Sequence, residues 1–408
     1  MTTLTLATGA SLFAGVTMAP RDPIFGLTDA FNQDAHPRKV NLGVGVYLDD
    51  EGRIPVLRAV AEAEHRMASA SSPRGYLPID GIAAYDRSVQ ELLLGVDSAL
   101  IAEGRAVTAQ SLGGTGALKI GADLLKKILP DASVAISDPT WDNHRSVFES
   151  AGFTVTTYPY YDAQTHDSRF DAMLTAFRAM APRTIVVLHA CCHNPTGVDL
   201  APDQWQAVLT VMQECALLPF LDLAYQGFAQ GIEEDGAVVR LFAKSGIPFL
   251  IASSFSKSFS FYGERVGALT IVNSNGDESA RVLSQLKRVI RANYSTPPTH
   301  GAMVVKMVLT TPDLRASWIE ELDQMRKRIR QMRHALVDQL QTDGAAADFS
   351  FVLRQNGMFS YTGLTSEQVD RLRVEFNVYA VSTGRICVAA LNRGNVAYCA
   401  NAIAKVLQ

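Results

Sequence analysis

Long uncharged apolar runs are missing from this chain. None approaches the roughly 18 residues that a membrane-spanning helix requires. An excess of basic residues is missing too. The 37 Lys and Arg face 41 Asp and Glu, giving a formal charge of -4, and no basic block marks a nucleic-acid or membrane-surface patch. Small-molecule partners are therefore expected, with no nucleic acid and no membrane. Cysteine is scarce: five residues, an odd number, with Cys191 and Cys192 adjacent, make a poor disulfide framework and fit a reducing compartment. No basic residue precedes Arg21, as a signal peptide or mitochondrial leader would need. Repeats, low-complexity tracts and a Gly/Pro-rich linker are also lacking, so any two domains are closely joined. The expectation is a soluble cytoplasmic protein. Its 408 residues, 48% of them hydrophobic, suffice for one large domain and a smaller one.

Between about residues 105 and 270, helical patterns alternate with the short apolar runs "SVAIS", "TIVVLHA", "PFLDLA", "PFLIASS" and "GALTIV". That alternation predicts an α/β domain with a mostly parallel, buried sheet. Further on, Leu314, Trp318, Leu322, Met325, Ile329, Met332 and Leu336 recur every three or four residues, predicting a long amphipathic helix that leads into a second domain. "FSFVLRQNGMFSYTGL" and "VYAVSTGRICVA" read as strands flanking a short helix at "SEQVDRLRVEF", which gives a small α+β unit.

Ligands of open α/β sheets gather beyond the carboxyl ends of the strands, so the residues following each apolar run carry the functional signal. "DPTWDNH" follows the first run, "CCHNPTG" the second, Asp222 and Tyr225 lie in and after the third, and "SSFSK" ends the fourth. Upstream, Gly113, Gly114 and Thr115 precede a helical pattern, where backbone amides suit a phosphate. Each feature also has a plainer reading. Trp141 fits a core, Asn194 before Pro195 a turn, Asp222 a helix cap and Lys257 a solvated loop. "HACCH" suggests a metal, but strand residues alternate faces and no second Cys/His pair lies at finger spacing. Nor does "GGTGAL" have the glycine spacing of a dinucleotide site. Taken together, an amine nucleophile, a phosphate cradle, a carboxylate, a phenol and a flat aromatic are what pyridoxal 5'-phosphate requires.

"HNPTG", "DLAYQGF", "SSFSKSFSFYGERVG", "RANYSTPP" and "NGMFSYTGL…VYAVSTGRICVA" resemble, in matching order, class I aminotransferases of the aspartate and aromatic branch. "NLGVGVYLDDEGRIPVLRAVAEAE", "GYLPIDG" and "DPTWDNH" bring the chain nearer the bacterial tyrosine/aromatic group. The resemblance implies the fold type I of pyridoxal-phosphate-dependent transferases: a large cofactor domain (57–318), a small domain (21–56 and 319–408) and an N-terminal arm (1–20). It implies ping-pong transfer of an amino group from tyrosine, phenylalanine or aspartate to 2-oxoglutarate, with an aspartate aminotransferase of minor aromatic activity as the alternative.

By that resemblance Lys257 holds the cofactor and moves the Cα proton, Asp222 pairs with the ring nitrogen, and Tyr225 and Asn194 bond the ring oxygen. Trp141 stacks on the ring, and Gly114, Thr115, Ser254, Ser256 and Arg265 hold the phosphate, with Tyr76 reaching it from a neighbouring subunit. His144 and His189 support Asp222 instead of binding metal. Arg385 grips the substrate α-carboxylate beside Gly45, Trp141 and Asn194, Val44 helps form an apolar wall, and Arg291 crosses to the other subunit to grip a distal carboxylate. A homodimer with shared sites follows. Leu48 and Thr296 stand where the aspartate enzymes usually have lysine and asparagine, a loss of polar anchoring that suits an aromatic substrate.

Overall fold

The computed structural model describes residues 11–19, 22, 24–70, 73 and 75–408. The first ten residues of the expected N-terminal arm lie outside it. Seven strands form the main sheet: β1 (Ala106–Leu112), β2 (Val134–Asp138), β3 (Val155–Pro159), β4 (Ile185–His189), β5 (Leu218–Leu223), β6 (Phe249–Ser254) and β7 (Val266–Val272). Their order is β1-β7-β6-β5-β4-β2-β3. β7 runs antiparallel to both neighbours and the other pairings are parallel, so the sheet is mostly parallel, as expected.

Five of the seven strands coincide with the apolar runs, because helices cover both faces and central strands such as β4 and β6 are buried at every position. The other two have no such run. In β1 the polar Thr108, Gln110 and Ser111 interrupt the pattern, yet all three are buried. Thr108 is satisfied across the sheet by Thr270, hydroxyl to hydroxyl at 2.8 Å. β3 is an edge strand that turns Thr156 and Thr157 to solvent.

Helix α1 (Gly113–Ile128) leaves the end of β1 directly and buries Ala117, Leu118, Ile120, Gly121, Leu124 and Leu125 against the sheet. Gly121 has to be small there, since a Cβ would lie 2.6 Å from the ring of Phe220. After α2 (Asn143–Ser150) and α3 (Gly276–Asn293), the chain enters α4 (Pro312–Thr342), 31 residues long. All seven residues of its predicted apolar stripe are buried. It packs against the Arg58–Ser69 helix and against α5 (Val396–Val406).

The C-terminal strand expectation needs correction. Of "FSFVLRQNGMFSYTGL" only Phe359–Tyr361 is a strand, paired antiparallel with Arg385–Cys387, while Ser350–Arg354 forms a short 3-10 helix. The carbonyls of Val352, Asn356 and Gly357 turn instead to the buried guanidinium of Arg333 on α4. Val378–Tyr379 pairs in parallel with Val40–Asn41, which ties the N-terminal segment to the C-terminal unit. Among the described residues no helix is long and apolar enough to cross a membrane.

Candidate active site

The carboxyl ends of β4, β5 and β6, the start of α1 and the loop before α2 converge on one cleft. Gly114, Thr115, Trp141, His189, Asn194, Asp222, Tyr225, Ser254, Ser256, Lys257 and Arg265 line it. Residues from five separate stretches of sequence thus face one volume.

At its floor Asp222, 4 % exposed, splits its carboxylate. Oδ2 accepts a hydrogen bond from His144 Nε2 at 3.0 Å, while Oδ1 is buried with no hydrogen-bond partner among the described residues. Thr140 Oγ1 lies 2.7 Å from His144 Nδ1; with Nε2 donating to a carboxylate, a neutral ring accepts the threonine hydroxyl there. Burial pushes the Asp222 carboxyl up, but the hydrogen bond from His144 and the electrostatic pull of its neighbours, Lys257 among them, outweigh it and hold it below the usual range. His189 packs beside His144 and His193, ring centroids 4.9 and 4.5 Å away. Burial first, then the neighbouring His144, pushes it down to about 3, so it is neutral at pH 7. His144, His189 and Asp222 lie close enough together to be read as metal ligands. The inner Asp222 oxygen is already engaged by His144, however, and a line of histidines backing one free carboxylate oxygen suits a protonated ring nitrogen.

Lys257 Nζ lies 5.2 Å from the centroid of the Tyr225 ring. Burial pushes its amine down to about 8, with Arg265 and Arg385 adding to the effect and Asp222 opposing it. Tyr225 is pushed well above its ordinary value by burial, and its hydroxyl receives Asn194 Nδ2 at 3.5 Å.

Opposite, the first turn of α1 presents Gly114 and Thr115 toward Ser254, Ser256 and Arg265. The approach is close at both glycines. A Cβ on Gly113, where φ is +70°, would lie 2.8 Å from Arg265 Nη2, and one on Gly114 would lie 3.0 Å from Ser254 Cβ. Arg265 itself has φ +55° and donates to the Tyr262 carbonyl at 3.0 Å and to Ser256 Oγ at 3.4 Å. Backbone amides at a helix start, hydroxyls and a guanidinium make a pocket for a dianion.

Above the cleft, Arg385 is buried yet incompletely paired. It donates to Asn194 Oδ1 at 3.2 Å and to the Gly43 carbonyl at 2.7 Å, and its Nε has no partner among the described residues. The guanidinium carbon sits 4.4 Å over the ring of Phe359, and that ring also crowds Gly45, where a Cβ would come within 2.8 Å. Tyr76 and Arg291 are not part of this assembly. Tyr76 is 98 % exposed, and Arg291, near the end of α3, bonds to Ser295 at the surface. Val44 and Leu48 are half-buried on the N-terminal segment, Leu48 against the core. The motif reading passed over Thr140, Phe359 and Arg333. Thr140 had a signal in its four-residue spacing from His144, and Arg333 in its spacing of four from Ile329 and Val337; Phe359 had none.

Residues 37–403 match the aminotransferase class I and II family. An aspartate aminotransferase of Pseudomonas aeruginosa is 64% identical over 397 residues, covering 97% of this chain and all of that protein. An aromatic-amino-acid aminotransferase of Escherichia coli is 48% identical over 399 residues, with the same coverage. Among solved structures, an aromatic-amino-acid aminotransferase from Burkholderia pseudomallei, covalently bound to pyridoxal phosphate, superimposes with a TM-score of 0.95 at 64% identity, covering 98% of this chain and all of that one. With geometry, sequence and fold in agreement over nearly the whole length, the chain belongs to the class I and II aminotransferases.

Proposed function

We propose that the protein transfers the amino group of tyrosine, phenylalanine or aspartate to 2-oxoglutarate, using pyridoxal 5'-phosphate. The observation that carries the reading is the buried, unpartnered Oδ1 of Asp222, set across the cleft from a lysine of lowered proton affinity and a dianion cradle. When bound, the cofactor supplies an electron sink that makes a substrate Cα–H acidic enough to ionise. Asp222 Oδ1 would accept the ring N–H and keep it protonated, with Thr140 and His144 fixing the carboxylate. Tyr225 and Asn194 would bond the ring oxygen, Trp141 would cover the ring, and Gly114, Thr115, Ser254, Ser256 and Arg265 would hold the phosphate. Lys257, freed by the incoming amine, would take the Cα proton. Its lowered proton affinity raises the share of neutral amine near neutral pH. Arg385 would clamp the α-carboxylate with its planar fork beside Gly45.

The site is completed, in this reading, by a second copy of the chain. Tyr76 and Arg291 lie outside the cleft and open to a partner, and Leu12, Phe13, Val16 and Met18 expose apolar side chains along the N-terminal arm. The small domain (21–56 and 319–408) would close on the large one (57–318) and exclude water. Five cysteines without a disulfide suit the cytoplasm.

The substrate range is tested by mixing the purified holoenzyme, in separate experiments, with aspartate and with phenylalanine and following the absorbance change of the bound cofactor in a single turnover. Comparable rates support the dual aromatic and acidic range. A fast reaction with aspartate alone makes the protein an aspartate aminotransferase, and no reaction with either overturns the assignment.

A further inference from the structure

Arg333 lies on α4, outside the cleft, and is 2 % exposed. A buried guanidinium ordinarily has a carboxylate partner. This one makes five hydrogen bonds, all to neutral oxygens of one short segment. Nη1 donates to the Val352 carbonyl at 3.1 Å and to Ser360 Oγ at 2.6 Å. Nη2 donates to the carbonyls of Asn356, Gly357 and Phe359 at 3.3, 2.9 and 2.7 Å. Within residues 352–360 only Phe359 and Ser360 belong to a strand, so this fork takes up carbonyls that have no ladder partner.

The segment leads to the substrate side of the site. Phe359 carries the ring beneath Arg385, its strand is the hydrogen-bonded neighbour of the strand that begins at Arg385, and its ring meets Tyr225 edge-on at 5.9 Å. Gly357 packs on Cys192, leaving no room for a Cβ, and the Asn356 N–H donates to the Gly197 carbonyl at 2.7 Å, so the same segment also braces the loop carrying Asn194. Of the described groups that hold the Arg385 guanidinium, Phe359 thus lies in the segment that Arg333 organises and Asn194 in the loop which that segment braces, while the Gly43 carbonyl lies apart from both.

We infer that Arg333 is a positioning residue for substrate carboxylate recognition: its five-bond fork fixes the 352–360 segment, and through Phe359 and Asn194 it sets the orientation of Arg385. The inference rests on the reading of Arg385 as the α-carboxylate clamp. A lysine at 333 keeps the charge but presents a single nitrogen that cannot span oxygens spread from Val352 to Ser360.

The test uses the holoenzyme and 3-phenylpropionate, a monocarboxylate with no amino group to transfer, whose dissociation constant is read by calorimetry beside KM and kcat for phenylalanine. Arg333→Lys is expected to raise that dissociation constant and KM at least fivefold, with kcat changed less than threefold. In a double-mutant cycle with Phe359→Leu the two effects should be non-additive by a similar factor, because they act on one ring. A loss of thermal stability with unchanged carboxylate binding, or strict additivity, overturns the inference. If Arg333→Lys does not fold, Ser360→Ala, which removes a single acceptor, takes its place in the cycle with the same expected outcomes in smaller measure. Arg385→Lys serves as the control: if it leaves binding of the carboxylate unchanged, the clamp reading fails, irrespective of what Arg333 does.

Discussion

Lys257 has to be neutral to attack an aldehyde, and its surroundings lower its amine from an ordinary 10.5 to about 8, burial leading and two arginines adding. The sign follows directly. Below pH 8 each unit leaves about a tenth as much free amine, and above it the gain levels off. Cofactor capture by the stripped enzyme is expected to accelerate about tenfold per unit up to pH 8 and then flatten, as followed by absorbance in a stopped-flow series. Acceleration that continues toward pH 10.5 would mean an ordinary lysine. The same depression leaves the unfolded chain holding more protons between pH 8 and 10.5, so the cofactor-free fold gains stability across that window. Lys257, Asp222 and Asn194 were legible because each stands at or just beyond an apolar run, where a polar residue has no packing reason to be. Phe359 and Arg333 were not, since one reads as core and the spacing of the other places it on the apolar face of α4 without naming its partners. Their significance lies in partners 19 to 27 residues away along the chain, which no local pattern encodes.

At the scale of elements, β1 passes into α1 with no intervening loop, and Gly113 makes that junction feasible. Its φ of +70° would strain any residue with a Cβ by about 1–2 kcal/mol, and the Cβ would also press on the guanidinium of Arg265. Gly104 has a similar φ, +65°, but faces open space. Gly113→Ala and Gly104→Ala should therefore lose about the same stability in urea, on the order of 1–2 kcal/mol each, while only Gly113→Ala weakens pyridoxal phosphate binding, by tenfold or more in an equilibrium titration. Equal effects on binding would detach Arg265 from the phosphate cradle. Period and alternation revealed the strands buried on both faces and the long α4, whose stripe is unbroken through Leu336. They failed for β1, where buried hydroxyls and an amide pair within the fold and mimic a solvent-exposed sequence, and for 350–358, where β-favouring residues are bent into a turn by Arg333.

The proposal for the whole molecule is that one chain supplies Lys257 and Arg385 while a second supplies Tyr76 and Arg291. In a single chain the latter two are exposed and removed from the cleft, which is what residues serving a neighbour's site would look like, and equally what solvated surface residues would look like. Co-expression separates the two cases. Lys257→Ala and Arg291→Ala chains are each expected to be inactive, or nearly so, toward dicarboxylates. If they pair at random, half of the dimers are mixed, and each mixed dimer holds one site with Lys257 from one chain and Arg291 from the other; about a quarter of all sites is then intact. Turnover with aspartate should recover to about that fraction of the wild-type value. Should Arg291 act within its own chain, no mixed site is whole and no activity returns. The donor used sharpens the outcome: phenylalanine has no distal carboxylate for Arg291 to grip, so the Arg291→Ala homodimer should retain most of its rate with phenylalanine while losing it with aspartate. Equal losses with both donors would assign Arg291 to holding the dimer together instead of reading the substrate.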